Sequence, residues 1–219
     1  MVATGMSARE RILGRVRDGL SRGRIPRGGD GLAQCYIASH PRGPVPSFST
    51  PLAETFATRA EALMTSIAKL SSIHDVPAEV ARYLSAHGIA PSVVAWKDFE
   101  SLPWPAAGVS ATFRPATGDD MVGLTGAFCA VAETGTLMMV SGPSTHGSVS
   151  LLPETHIAVL DARRIVGVME DAWALLRAER GSLPRAVSFI SGPSRTADIE
   201  QTVTLGAHGP YRVHVVLIG

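Results

Sequence analysis

From residue 52 onward, apolar side chains recur at helical spacing. Leu52, Phe56, Ala60, Leu63, Ile67 and Leu70 follow one another at intervals of four and three, the stripe of an amphipathic helix. Thr50 and Pro51 ahead of it read as an N-cap and a proline at the first helical position. A second helix is predicted from about residue 77 to 87. Val80, Tyr83 and Leu84 lie on one face of it, and Gly88 suits the left-handed C-cap. After Ala90 the pattern changes to short apolar runs between turn residues. Residues 92–96, 109–113, 128–132, 137–140, 156–160, 186–190 and 212–218 read as strands. Between them, residues 163–177 read as a helix with Val166, Met169, Ala172, Trp173 and Leu176 inward, and residues 197–202 as a shorter helical stretch. Strands alternating with helices imply an α/β fold, a mainly parallel sheet with helices on both faces. The unbroken apolar run 157–160 fits a strand buried on both sides.

The amino end has a different pattern. Ser7 and Glu10 match a capping box, and Ile12, Leu13, Val16 and Leu20 form an apolar stripe behind it. Seven arginines (Arg9, Arg11, Arg15, Arg17, Arg22, Arg24 and Arg27) crowd the first 27 residues, opposed there by Glu10 and Asp18. One reading is an arm for an acidic partner. The other is a solvated face of a short amphipathic helix that docks on the body or on a partner subunit. Residues 23–51 are rich in Gly, Pro and Ser and read as an irregular connection. The expected organisation is an N-terminal helix and connection at residues 1–50, followed by an α/β domain at residues 51–219.

Composition narrows the function classes. The chain has 219 residues, a formal net charge of +1 and 45% hydrophobic residues. No apolar run approaches the length of a membrane span. The near-neutral balance argues against a general nucleic-acid binder. Cys35 and Cys129 are the two cysteines, too few for a disulfide framework or for an iron–sulfur cluster on this chain. Arginines interrupt the apolar positions of the first 20 residues, so no secretory leader is expected there and the cytoplasm is the expected compartment.

The dinucleotide fingerprint, the P-loop, His-Glu-x-x-His and Cys-x-x-Cys are all absent from the sequence. Residues 19–23 match Gly-x-Ser-x-Gly, but a nucleophile elbow must follow a strand and open a helix. Two similar loops are present. Ser141-Gly142-Pro143-Ser144-Thr145 and Ser191-Gly192-Pro193-Ser194-Arg195-Thr196 each follow an apolar run. If both leave parallel strands, they meet at the carboxyl edge, where open α/β sheets bind ligands. Arg195 offers a planar fork for a carboxylate or phosphate, and Ser191, Ser194 and Thr196 offer hydroxyls. Gly192 permits close backbone approach, and Asp198 and Glu200 stand nearby. A helix opening near Thr196 would add free amides for an anion. Glu133, in Glu133-Thr134-Gly135-Thr136, is either a turn residue or a catalytic carboxylate. His208 lies in a glycine-rich loop able to line a site, while His214, inside the last strand, reads as structural.

These stretches resemble a known family. Residues 123–136, 150–159, 190–200, 206–210 and 213–217 are similar to the LUD domain, and Ala8-Arg9-Glu10-Arg11-Ile12-Leu13 resembles the amino end of the lactate utilization protein C family. The resemblance implies a fold like those of ribose-5-phosphate isomerase, glucosamine-6-phosphate deaminase and the CoA transferases. It also implies a subunit role in oxidation of L-lactate to pyruvate, with iron–sulfur clusters carried on partner proteins and none bound by this chain. CoA transferases place a catalytic glutamate in Glu-Asn-Gly; here the sequence is Glu133-Thr134-Gly135, which departs at the middle position. On this reading Glu133 is the candidate catalytic group. Thr134, Gly135, Thr136, Ser191, Gly192, Ser194, Arg195, Thr196, Asp198, Glu200 and His208 are the candidate binding residues for a small carboxylate. The alternatives are a stand-alone enzyme acting on a small phosphorylated or acylated metabolite, and a scaffolding subunit.

Overall fold

The computed structural model describes residues 7–19, 29–196 and 204–219. Its contacts divide the chain into two units, Met1–Val45 and Pro46–Gly219. The first unit contains α1 (Ala8–Gly19) and α2 (Gly29–Ser39). The capping box forms as its residues dictate. The Ser7 amide donates to Glu10 Oε2 at 2.7 Å, and the Glu10 amide donates back to Ser7 Oγ at 3.3 Å. α2 is a correction, because it occupies part of the stretch expected to be irregular. Its glycines, Gly29 and Gly31, fall in the first turn, and residues 32–39 contain neither Gly nor Pro, so nothing there interrupts the helix. Leu32, Tyr36 and Ile37 are exposed on it.

The second unit opens with α3 (Leu52–Ala62), β1 (Thr65–Leu70), α4 (Val76–Ala86), β2 (Ser92–Ala95), β3 (Ser110–Phe113) and β4 (Val122–Gly126). It continues with β5 (Cys129–Val131), β6 (Thr136–Val140), the one-turn α5 (Ser148–Leu151), β7 (Thr155–Asp161), β8 (Ile165–Val166) and α6 (Met169–Arg180). β9 (Val187–Ile190), β10 (Arg195–Thr196), β11 (Thr204–Leu205) and β12 (Arg212–Ile218) complete it. Six strands form a wholly parallel sheet in the order β1-β12-β7-β4-β2-β3. A second sheet, β8-β5-β6-β9, is mostly antiparallel. The α/β class with a mainly parallel sheet is therefore the observed one.

The second sheet separates two cores through the two-residue period of its strands. Ala130, Leu137 and Met139 point into the large core with Phe56 and Ala60 of α3, and Ala132 in the turn after β5 joins them. Cys129, Val131, Met138 and Val140 point the other way, onto Ala172 and Leu176 of α6. α6 keeps most of its expected stripe, but Val166 lies in β8 and the helix begins at Met169. β4 has no counterpart in the sequence pattern, because Gly123, Thr125 and Gly126 interrupt its apolar run.

The largest correction falls on the helix expected to run to Leu70. It ends at Ala62, and Ile67 and Leu70 belong to β1. Met64 takes φ +64°, a left-handed conformation that terminates helices. Residues 65–70 then pair with β12 in parallel, from Thr65 opposite Val213 to Leu70 opposite Ile218. Six ladder positions against a central strand outweigh continuation of a helical stripe. At the other end, Pro51 is the N-cap residue, and the Thr50 hydroxyl bonds Thr55 Oγ1 at 2.6 Å instead of capping. The helix expected at residues 197–202 lies outside the described residues.

Two turns clasp the end of α3. Gly135 has φ +64°, and a Cβ there would stand 2.5 Å from the Ala60 nitrogen. Gly192 has φ +80°, and a Cβ there would stand 2.2 Å from the Leu63 carbonyl oxygen. Both neighbours are backbone and cannot yield.

Gly135→Ala and Gly192→Ala are each expected to destabilise the protein by on the order of 3 kcal/mol, from backbone strain plus overpacking. Urea unfolding checks this. Deleting residues 1–45 is expected to preserve one cooperative melting transition, because both cores are built from Phe48 onward; calorimetry of the truncated chain checks it. A third expectation concerns His156, which is fully buried with Nε2 on Thr125 Oγ1 at 2.7 Å. Burial pushes its pKa down from 6.5 to about 4. The unfolded chain binds the proton more tightly, so stability falls as pH drops from about 6.5 to 4, by up to about 3 kcal/mol. Comparing urea midpoints at pH 7.5 and 4.5 for the wild type and His156→Gln should show that component only in the wild type.

Candidate functional site

Two turns meet at the C-terminal end of α3, and a third is hydrogen-bonded to the second of them. The first is the 132–135 turn between β5 and β6, pinned by the Ala132 and Glu133 amides donating to the carbonyls of Val166 and Gly167. The second is the 191–196 segment after β9. A line of hydroxyls joins them: Thr134 Oγ1 to Thr136 Oγ1 at 2.7 Å, and Thr136 Oγ1 to Ser191 Oγ at 2.7 Å. The third is the turn before β12. The Ser194 amide donates to the Pro210 carbonyl at 2.9 Å, and the Gly206 amide donates to the Ser194 carbonyl at 2.9 Å. Residues 133–136 and 191–196 thus share one polar rim, and residues 206–210 join it through Ser194.

Arg195 is exposed, and its Nη2 donates to the Leu63 carbonyl at 3.0 Å. That carbonyl is one of the groups a helix leaves without an internal partner as it ends. Arg195 therefore holds the end of α3 with one N–H of a group that carries five. Thr196 belongs to β10, paired with Thr204 of β11, so it does not open a helix. Asp198 and Glu200 lie outside the described residues.

Glu133 is exposed and lines a cleft of about 360 Å³ with Phe48, Thr55, Thr58 and Arg59. The guanidinium facing that cleft comes from Arg59. His208 lines a separate cleft of about 600 Å³ with Leu151, Leu152, Leu205, Tyr211 and Arg212. This second cleft lies at the amino ends of β7 and β12, since Glu154 and Tyr211 directly precede those strands. The Arg212 guanidinium sits 4.9 Å from the centre of the Tyr211 ring, a cation–π contact.

The expectation that the two Ser-Gly-Pro-Ser loops share an edge is overturned. β6 and β9 pair antiparallel, Leu137 opposite Ile190 and Val140 opposite Val187. Ser141 and Ser191 therefore leave the pair at opposite ends. The 191–196 segment instead meets the residues just ahead of β1 and β12, at the amino ends of the parallel strands. The 141–145 loop contributes to a different cleft, of about 260 Å³, with Trp96, Asp98, Phe128, Arg164 and Glu179. It flanks the carboxyl ends of β2 and β4. Arg164 is committed there, with Nη1 and Nη2 on the two Glu179 oxygens at 3.0 and 2.9 Å and Nε on the Phe128 carbonyl. Arg59 and Arg164 escaped the sequence reading. Arg59 lies off the apolar stripe that marks its helix, and Arg164 lies in a tight turn after β7, ahead of α6, where the pattern predicts the start of that helix.

Among the described residues no group of three or more His, Cys, Asp or Glu side chains is placed to hold a metal ion. Cys35 is exposed on α2 and Cys129 is buried in β5, where burial pushes its thiol up to about 11. Among the same residues no helix is long and apolar enough to cross a membrane.

Comparison with known proteins places this architecture. Residues 54–218 match the LUD domain. An uncharacterized protein of Neisseria meningitidis is 38% identical over 96 residues, covering 44% of this chain and 41% of that protein. Lactate utilization protein C of Exiguobacterium is 41% identical over 100 residues, 44% of each chain, and that of Bacillus licheniformis is 32% identical over 127 residues, 52% of this chain and 53% of the other. These matches span about half the length of the curated relatives or less. The crystal structure of a DUF162 family protein from Deinococcus radiodurans shares the fold, with a TM-score of 0.60 and 24% identity, covering 80% of this chain and all of that one. With the parallel sheet, the clasped helix and three quarters of its length matched, the chain belongs to the LUD domain family.

Proposed function

We propose that this chain is a component of a lactate-utilising system and binds a small carboxylate at the rim formed by residues 133–136 and 191–196. The observation that carries the site is the Thr134–Thr136–Ser191 line of hydroxyls ending beside Arg195. The role is supported by the relatives named lactate utilization protein C. A carboxylate needs charge and directional donors together, and an Arg fork with neighbouring hydroxyls supplies both. The bond to Leu63 uses one of the five N–H groups that an Arg side chain carries. Glu133 is the group assigned to accept the substrate hydroxyl proton.

Oxidation of L-lactate to pyruvate removes two electrons as well as two protons. None of the proposed site side chains stores an electron pair, so the electrons pass to partner proteins that carry iron–sulfur clusters. In this reading the chain orients the substrate, its partners take the electrons, and the assembly works in the cytoplasm.

Arg195→Ala is expected to weaken L-lactate or pyruvate binding roughly tenfold to a hundredfold, the worth of a charge-assisted hydrogen bond. Arg195→Lys should recover only part of it. Titration calorimetry with each variant, alongside melting temperature, checks this. A lowered melting temperature with unchanged affinity would confine Arg195 to holding α3. Reconstitution with iron–sulfur partners should give lactate-dependent dye reduction that the chain alone lacks.

A further inference from the structure

Outside that rim, a second constellation sits under α4. Ser66 of β1 lies directly opposite His214 of β12 in the parallel register, so the two side chains share one face of the sheet. Ser66 Oγ is 2.8 Å from His214 Nδ1. On the other side of the ring, His214 Nε2 is 3.2 Å from Glu79 Oε1, and Arg82 Nε donates to Glu79 Oε2 at 2.7 Å. The Tyr83 ring stacks on the imidazole with centroids 4.2 Å apart, and its phenol lies near enough to the Ser66 hydroxyl to feel it electrostatically.

An ionised Glu79 only accepts, so the proton of the neutral ring resides on Nε2. The lone pair of Nδ1 then faces the Ser66 hydroxyl, as a general base requires. Burial sorts the groups by role. His214 and Glu79 are 2% and 8% exposed, whereas Ser66 is open to solvent. A buried Glu–His pair is a poor source of stability, because its desolvation offsets its attraction and apolar residues would pack as well. Charge states agree with the geometry. Burial, opposed by Glu79, holds the His214 pKa below that of an ordinary imidazole. Burial raises the Glu79 carboxyl, but Arg82 and His214 outweigh it and hold the group below its ordinary value. Burial also raises the Tyr83 phenol. The titratable and charged groups around His214 are Glu79 and Arg82 on α4 and His87 just past its end, with Arg212 of its own strand acting on Tyr83. At neutral pH the base is therefore neutral, the carboxylate ionised and the phenol protonated.

We propose that Ser66, His214 and Glu79 form a nucleophile–base–carboxylate relay that gives this chain acyl-transfer activity on small carboxylic esters. Ser66 Oγ bonds to the acyl carbon as its proton passes to His214 Nδ1. Tyr83 donates to the developing oxyanion, and Glu79 stabilises the imidazolium. The adduct expels the alcohol oxygen, which takes the proton from His214 and leaves Ser66 acylated. Water then attacks the acyl carbon, its proton passing to Nδ1. The carboxylic acid departs, and Ser66 Oγ recovers the proton. The relay uses no residue of the 133–136 or 191–196 turns, so it stands or falls separately from the carboxylate-binding reading.

The test is covalent labelling of the full chain with a fluorophosphonate, read by peptide mass spectrometry, together with p-nitrophenyl acetate hydrolysis. The phosphorus is expected on Ser66 Oγ with loss of fluoride. Ser66→Ala, at an exposed position, should abolish labelling with the melting temperature preserved. His214→Asn and Glu79→Gln should each slow hydrolysis, the former by about a hundredfold or more. The wild-type rate should fall as pH drops through a His214 pKa lying below 6.5. An unlabelled Ser66, or hydrolysis unchanged in Ser66→Ala, would overturn the proposal.

Discussion

The last turn of α3 is the constraint on which the rest of the second unit depends. The chain must pass there from a helix into β1 within two residues, with Met64 in a left-handed conformation. The 132–135 turn and the 191–196 segment close on that backbone more tightly than any Cβ allows at Gly135 and Gly192. Arg195 then takes a carbonyl that the ended helix leaves over. Each contact is local, but together they fix the start of β1. They also fix the approach of the second sheet and the placement of every hydroxyl along the polar rim.

The same packing separates two kinds of polar chemistry. Around the clasp Glu133, Thr134, Ser191 and Arg195 are exposed, and the buried Thr136 joins the Thr134 and Ser191 hydroxyls through short bonds. Beneath α4 Glu79 and His214 are buried and ordered by charge, with the exposed Arg82 at one end of the line and the Ser66 hydroxyl at the surface at the other. The parallel register of β1 with β12 creates the second arrangement. A shift of that register by one position would turn Ser66 to the opposite face.

Membership of the LUD domain family accounts for the fold, and the fold accounts for where loops gather. Mixed pairing in the second sheet sends the two Ser-Gly-Pro-Ser loops to opposite ends of β6 and β9. One meets the amino ends of the parallel strands; the other joins the cleft beside Trp96 and Arg164. Similar loop sequences therefore serve different surroundings, and a repeated motif is not by itself a shared site.

Local chemistry was legible in the residues alone. The Ser7–Glu10 capping box, the apolar strands β7 and β12, the inward stripe of α6 and the glycine after α4 each follow from propensities acting within a few positions. The α/β class followed from their alternation. The Thr134, Thr136 and Ser191 hydroxyls do meet, at the amino ends of the parallel strands instead of the carboxyl edge expected for Ser191. Strand direction is not written in apolar runs, because a run reads alike parallel or antiparallel. The break of α3 at Ala62 was hidden for a related reason: Ile67 and Leu70 satisfy a helical stripe and a strand equally well, and the ladder with β12 decides between them. In the sequence pattern Ser66 falls inside a helical stripe and His214 is an isolated strand residue. Only the pairing of strands 148 residues apart brings them within 2.8 Å of one another.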